Sequence, residues 1–137
     1  MIEPALALRS VIRAHLVSDE DITDLVPADD IRAGSTRPEN FPTIILAGEN
    51  ILNRGRAAAG QYVATVFLDI HIWAVEDGLD KAQTIGAAVA KRLIDCPETD
   101  GFEIDEFKHN RTVWMRDPDP GHGHGVLSYE ATIRWTI

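Results

Sequence analysis

The clearest pattern in the chain is the run Tyr62–Val75, in which almost every second side chain is apolar. A period of two with many β-branched and aromatic residues is typical of a β-strand. One face of this strand, which includes Val66 and Ile70, is expected to pack on the core. The opposite face mixes apolar and polar groups, namely Val63, Thr65, Phe67, Asp69, His71, Trp73 and Val75. We expect that face to contact something other than water alone.

Apolar positions spaced three and four residues apart predict helices on both sides of this strand. The first helix covers Pro4–Val17, and Pro4 suits its first turn because the missing N–H of proline would have no helical partner there in any case. A short acidic helical turn follows and ends at Pro27. The second long helix covers about Leu79–Asp95, with Asp77 as its expected N-cap.

Other segments have the composition or the alternation of strands: Ile31–Ala33, Thr43–Ala47, Phe107–Arg116 and Val126–Ile137. Glycine, proline and polar residues predict loops between them, at Gly34–Pro42, Gly48–Gly60 and Asp117–Gly125. This order predicts a single α+β domain over residues 1–137, with an antiparallel sheet of about four strands and two helices packed on one face. Two helices cannot cover both faces, so Phe67 and Trp73 would contribute to an exposed apolar patch of the kind that marks protein–protein contact.

Composition narrows the class of protein. Of the 137 residues, 45% are hydrophobic and 26% are charged, as in ordinary globular domains. The net charge of −9 disfavours a general nucleic-acid-binding surface, which would concentrate lysine and arginine. We see no secretory signal and no apolar run of membrane-spanning length. The single Cys96 fits a reducing cytosol, and its place at the end of the apolar helix face predicts a packing thiol rather than a nucleophile.

One cluster has the atom types of a transition-metal site. It consists of two aspartates and two histidines close together, Asp117, Asp119, His122 and His124. The more ordinary interpretation is a glycine- and proline-rich hairpin in which the histidines add solubility. We therefore predict no metal, with His122 and His124 as weak candidates.

Asp69 and His71 lie on the same face of the central strand and could form half of a hydrolytic site. Such a site also needs a nucleophile and an oxyanion donor, and the chain has no Gly-x-Ser-x-Gly pattern. A structural polar pair at an interface is the favoured interpretation, so we predict no catalytic residues, no enzyme activity and no cofactor.

Taken in order, several segments resemble a known family. They are the N-terminal helix, Asp21–Val26, Ile31–Gly34, Phe41–Ile44, Val66–Ala74 with the acidic turn and alanine-rich helix after it, and the closing Gly125–Trp135. The set resembles the tail-completion (tail terminator) proteins of long-tailed siphophages and their relatives in gene transfer agents, over nearly the whole chain.

The resemblance implies a small α+β subunit that assembles into a hexameric ring. Such a ring caps the tail tube, stops its polymerisation and joins it to the head connector. It would be made in the bacterial cytoplasm and reside in the virion or phage-like particle. The implied partners are further copies of the chain, the tail tube protein and the head–tail connector or stopper protein. DNA would pass through the channel without sequence-specific binding, and no membrane is involved.

Within that interpretation we predict which residues make contact. The subunit interface would use the mixed face of the central strand, at Val63, Phe67, Asp69, His71 and Trp73. Arg54 and Arg56 would dock the Gly48–Gly60 loop onto the tail tube. The alternatives are another head–tail neck protein (a stopper or adaptor) and, from a different class, a small metal-dependent hydrolase that uses Asp69, His71 or the His122/His124 loop. A small-molecule-binding module is a further alternative, for which the sequence shows no distinctive pocket.

Overall fold

A computed structural model describes residues 1–75, 79–116 and 121–136. Its helices are α1 (Pro4–Val17), α2 (Glu20–Thr23) and α3 (Asp80–Arg92), and short 3₁₀ turns cover Ala28–Asp30 and Ala58–Gly60. Its strands are β1 (Ile31–Ala33), β2 (Thr43–Ala57), β3 (Gln61–Val75), β4 (Glu103–Arg116) and β5 (His122–Thr136).

The strands form one sheet in the order β1-β2-β3-β5-β4. The pairs β2–β3, β3–β5 and β5–β4 are antiparallel, whereas β1 runs parallel to β2. The predicted α+β class is confirmed. The expectation of about four antiparallel strands needs correction to five strands in a mixed sheet, because the loop after β1 returns the chain so that β2 starts beside β1 in the same direction.

Helix α1 has the predicted bounds. The carboxylate of Glu3 accepts a hydrogen bond from the N–H of Leu6 and caps the first turn, where Pro4 has no N–H and so needs no acceptor. Leu8, Ile12 and Leu16, spaced four residues apart, are fully buried. The spacing puts them on one face of the helix, which packs on the sheet.

Helix α3 covers the same face of the sheet. It buries Ala82, Ile85, Gly86 and Val89 in the core that also holds the alternate β3 side chains from Ala64 to Ala74. The helix ends at Arg92 rather than near Asp95. Cys96 therefore lies beyond the helix and is exposed, so the prediction of a packing thiol is wrong. The expected N-cap, Asp77, lies outside the described residues.

Three strands are longer than predicted. β2 continues to Ala57 through the segment predicted to be a loop, and the turn into β3 is confined to Ala58–Gly60. Gly48 and Gly55, both with positive φ, lie at irregularities in the β2–β3 register, where a bulge favours glycine. These glycines and the polar side chains of an exposed hairpin obscured the strand pattern. β4 likewise begins at Glu103, and β5 begins at His122 inside the predicted turn.

None of the described helices is long and apolar enough to cross a membrane.

Candidate interaction surface

The side of the sheet that faces away from α1 and α3 is called the open face. On β3 it carries the alternate residues predicted from the sequence, Val63, Thr65, Phe67, Asp69, His71, Trp73 and Val75. On β5 the register places their neighbours, Arg134, Thr132, Glu130, Ser128, Val126, His124 and His122. Val63, Phe67, Asp69 and His71 are half-buried in the single chain, which leaves part of each side chain for contact with a partner.

One end of the open face is covered by the chain itself. The loop between β1 and β2 brings Phe41 edge-on to Trp73, with ring centroids 6.3 Å apart, and places the guanidinium of Arg37 5.7 Å from the Trp73 ring. Trp73, Ile45 and Ala47 form a second small core beneath this loop. Trp73 is consequently only 4% exposed. Of the predicted interface residues, it is the one that the chain already covers.

A stack of rings continues from this small core. The ring of His124 lies 3.8 Å from that of Trp73, centroid to centroid, at an interplanar angle of 12°. His71 follows, with its Nδ1 only 3.0 Å from Nε2 of His124. Phe41, which contacts Trp73 edge-on, also stacks on the ring of His122, with the two ring centroids 4.3 Å apart. The sequence placed His71 and His124 in separate candidate sites, and the β3–β5 register, which pairs Trp73 with His124, brings them together.

The two imidazoles are arranged to share a proton. Nδ1 of His71 and Nε2 of His124 are 3.0 Å apart, so one of these nitrogens donates a hydrogen bond and the other accepts it. Burial lowers the pKa of His71, and the negative charge of Asp69 opposes that shift in part. Burial thus favours the neutral form of the His71 ring.

The described residues do not assemble the candidate metal cluster for which the sequence offered His122 and His124 only as weak ligands. His122 and His124 point to the same side of β5, but their rings stack on Phe41 and Trp73. Asp117 and Asp119 lie outside the described residues. Across residues 1–75, 79–116 and 121–136, no group of three or more histidine, cysteine, aspartate or glutamate side chains is placed to hold a metal ion.

Asp69 is occupied by a cross-strand contact. Its carboxylate accepts a hydrogen bond of 2.8 Å from the hydroxyl of Ser128, its partner on β5. A serine hydrolase instead joins serine to histidine and histidine to aspartate. Here Ser128 bonds to Asp69 and His71 bonds to His124. Asp69 and His71 are each hydrogen-bonded across the β3–β5 ladder and not to one another.

The other end of the sheet is exposed and charged. Arg54 donates from Nε to the hydroxyl of Thr65, so it lies on the open face, whereas Arg56 donates to the hydroxyl of Tyr62 on the helix side. Arg134 holds Asp105 through two nitrogens, at 3.0 and 3.1 Å. This contact lowers the pKa of Asp105. No pattern in the sequence predicts that pair, because it depends on the register between β4 and β5.

Taken together, fold and surface define a small α+β protein that keeps one sheet face free of helices and folds its own loop over only part of it. The family profile described as tail completion protein gp17 matches residues 10–134, and the chain belongs to that family. The resemblance inferred from the sequence is confirmed. Membership gives the chain a structural role in tail completion and places it in a phage-type particle.

Solved structures share the fold. A chain from the virion of a native gene transfer agent particle aligns with a TM-score of 0.80 and 17% identity, over 95% of this chain and 96% of that one. The gp17 protein of bacteriophage SPP1 aligns with a TM-score of 0.58 and 18% identity, over 98% of this chain and 91% of that one. No curated protein sequence matches the chain.

Proposed function

We propose that the chain is the tail terminator of a siphophage-like particle or gene transfer agent. It forms a ring, of six copies, that caps the tail tube, ends tube polymerisation and joins the tube to the head connector. Membership of the tail completion protein gp17 family over residues 10–134 is the observation that carries this proposal. The ring works through shape and buried interface area, without catalysis and without a cofactor.

Self-association is proposed to use the open face. A neighbour that covers Val63 and Phe67 removes apolar surface from water, at about 25 cal/mol per Å². Asp69 and His71 beside them add polar groups whose directions are set by Ser128 and His124. Trp73 is buried, so it would not contact the neighbouring subunit directly. Its ring stacks on His124 and so supports the two histidines that lie at the surface.

The remaining partners are the tail tube protein and the head connector or stopper protein. Arg56, exposed near the end of the β2–β3 hairpin, is proposed to dock onto the tail tube. Arg54 was expected to share that role, but it lies on the other face of β2 and has a different environment, treated below. The net charge of −9 suits a channel that DNA crosses without being bound, since a negative lumen repels phosphate.

Assembly assays test the proposal. We expect the purified chain, alone or with tail tubes, to form rings in negative stain and to limit the length of tubes polymerised in its presence. Phe67→Asp should weaken ring formation because it buries an unpaired charge. Leu6→Asp, at an exposed position on α1, is the matched control and should assemble normally.

Two results would contradict the proposal. The first is a strictly monomeric chain that leaves tube length unchanged and does not join heads to tails. The second is a particle map that places the subunit at the portal rather than at the tube end, which would select another neck protein.

A further inference from the structure

Both edges of the sheet are open to another chain. β1 covers β2 only beside Ile44–Leu46, so in the described part of the chain the outer edge of β2 has no strand partner from Ala47 to Ala57. The outer edge of β4, along Glu103–Arg116, likewise has no strand partner among the described residues. The free N–H and C=O groups of such edges can pair with another strand, and proteins limit that pairing with charges and bulges.

The two open edges carry bulges at the same level. One row of paired residues crosses the sheet through Asn53, Ala64, Ile133 and Ile104. Next to this row each edge strand has one extra residue without a partner in the register. The extra residue is Arg54 on β2 and Asp105 on β4. The positive charge of Arg54 and the negative charge of Asp105 therefore lie next to the same row, on opposite edges of the sheet.

The charges around the two bulges differ in sign. On β2, Arg54 bonds to the neutral hydroxyl of Thr65, and among the described side chains it forms no ion pair. On β4, three exposed acids lie within four consecutive residues, Glu103, Asp105 and Glu106. Asp105 and Glu106 are paired within the chain to Arg134 and Lys108. Glu103 lies opposite Arg134 in the β4–β5 register and adds its negative charge there, but it forms no direct ion pair among the described residues.

This pattern discriminates between possible edge contacts. Two β2 edges would bring arginines together at this level, and two β4 edges would bring acids together, so two-fold contacts of like edges are disfavoured. A β2 edge against a β4 edge brings opposite charges together. Such a contact uses two different surfaces and is therefore head-to-tail, the type that closes into rings.

Strand direction agrees with this contact. Each neighbour from β2 through β3 and β5 to β4 is antiparallel, so β2 and β4 run in opposite directions. Rotation about an axis parallel to the strands leaves those directions unchanged. The β4 of a rotated copy therefore meets β2 antiparallel and at the same level.

We propose that neighbouring copies of this chain meet through these edges, with Arg54 of one copy facing Glu103, Asp105 and Glu106 of the next. The contact, called the edge seam, rests on the proposed ring and specifies how its subunits join. It adds an edge contact to those proposed for the open face, and it assigns Arg54 to a neighbouring subunit rather than to the tail tube.

Disulfide cross-linking tests the edge seam directly. In a Cys96→Ser background, a chain with Arg54→Cys is mixed with a chain that carries Glu103→Cys, at high protein concentration with oxidised glutathione. We expect a cross-linked heterodimer well above the level given by Arg56→Cys with Glu103→Cys, because Arg56 lies on the helix side of β2. With Arg54→Cys and Glu103→Cys in one chain we expect a ladder that ends at a closed ring. Homodimers of the Arg54→Cys chain alone at equal yield, or no cross-link above the control, would overturn the edge seam.

Charge reversal gives an independent readout by native mass spectrometry. Arg54→Glu and Glu103→Lys should each weaken assembly, and the two single variants mixed together should assemble through alternating subunits. Lys91→Glu, at an exposed position in the last turn of α3, should assemble like the unaltered chain. If rings form normally with Arg54→Glu and no cross-link appears, the edge seam fails while the tail-terminator role stands. If cross-links form but tails are not completed, the edge seam stands while the role fails.

Discussion

The indole ring of Trp114 lies directly against the backbone of Gly125. A Cβ atom at position 125 would fall on the ring edge, and one at Gly86 of α3 would lie 2.5 Å from its Cη2 atom. The ring from β4 therefore fills a slot between helix and sheet that exists because both walls lack a side chain. Glycine within the Gly-His-Gly-His-Gly segment thus serves strand packing rather than a turn.

Replacing Gly125 by alanine should destabilise the fold. The new methyl group would collide with the six-membered ring of Trp114, and overpacking of this kind typically costs about 1–3 kcal/mol. Chemical denaturation followed by circular dichroism measures the loss. Trp114→Leu in the same chain should restore part of it, because the smaller side chain frees the slot. An unchanged midpoint for Gly125→Ala alone would mean that the ring does not occupy this position.

Part of the fold could be read from the sequence because burial repeats with a regular period. The bounds of α1 and the buried face of β3 follow from spacings of four and two, and both were predicted. The part of β2 from Gly48 to Ala57 was not predicted as a strand, because most of its side chains are polar or exposed. Its bulges also place glycines at positive φ, at Gly48 and Gly55. Backbone pairing holds such a strand without an apolar stripe, so periodicity gives no signal for it.

The candidate surface was predicted in composition but not in arrangement. Alternation along β3 placed Phe67, Asp69 and His71 on one face. The contact between His71 and His124 depends on the register of two strands that are distant in sequence. The covering of Trp73 by Phe41 depends on the path of a loop. Neither register nor loop path has a periodic signature, so both required the three-dimensional structure.

Two leucines of α1 should respond very differently to truncation. Leu8 is fully buried, and Leu8→Ala should cost about 2–5 kcal/mol because it removes apolar contacts and leaves a cavity. Leu6 is 51% exposed, so Leu6→Ala should stay within about 0.5 kcal/mol of the unaltered chain. Urea denaturation of both variants checks the difference. Equal losses would contradict the assigned orientation of the helix.

The hydroxyl of Tyr129 is buried without a hydrogen-bond partner among the described residues. Tyr129→Phe should therefore keep or raise stability, by up to about 1 kcal/mol, because it removes a desolvated polar group.

Burial also raises the pKa of Tyr129 to about 12. The folded state then holds its proton where the unfolded state, with an ordinary pKa of about 10, loses it, so this group lowers stability as the pH rises from about 10 towards 12. Absorbance at 295 nm should show one late-titrating tyrosine, which Tyr129→Phe removes. A large loss of stability in Tyr129→Phe would reveal a partner for the hydroxyl.

Acidification should weaken the histidine stack on the open face. Burial lowers the pKa of His71 below its ordinary value of 6.5, so between that value and the lowered one the unfolded state binds more protons than the folded state. Stability should therefore be retained above about pH 7 and fall as the pH drops below about 6.5. The decrease should be smaller in His71→Gln, which cannot take up the proton, than in the unaltered chain. Urea midpoints from pH 8 to pH 5 measure the slopes. A slope that is identical with and without His71 would show that this imidazole does not control the acid response.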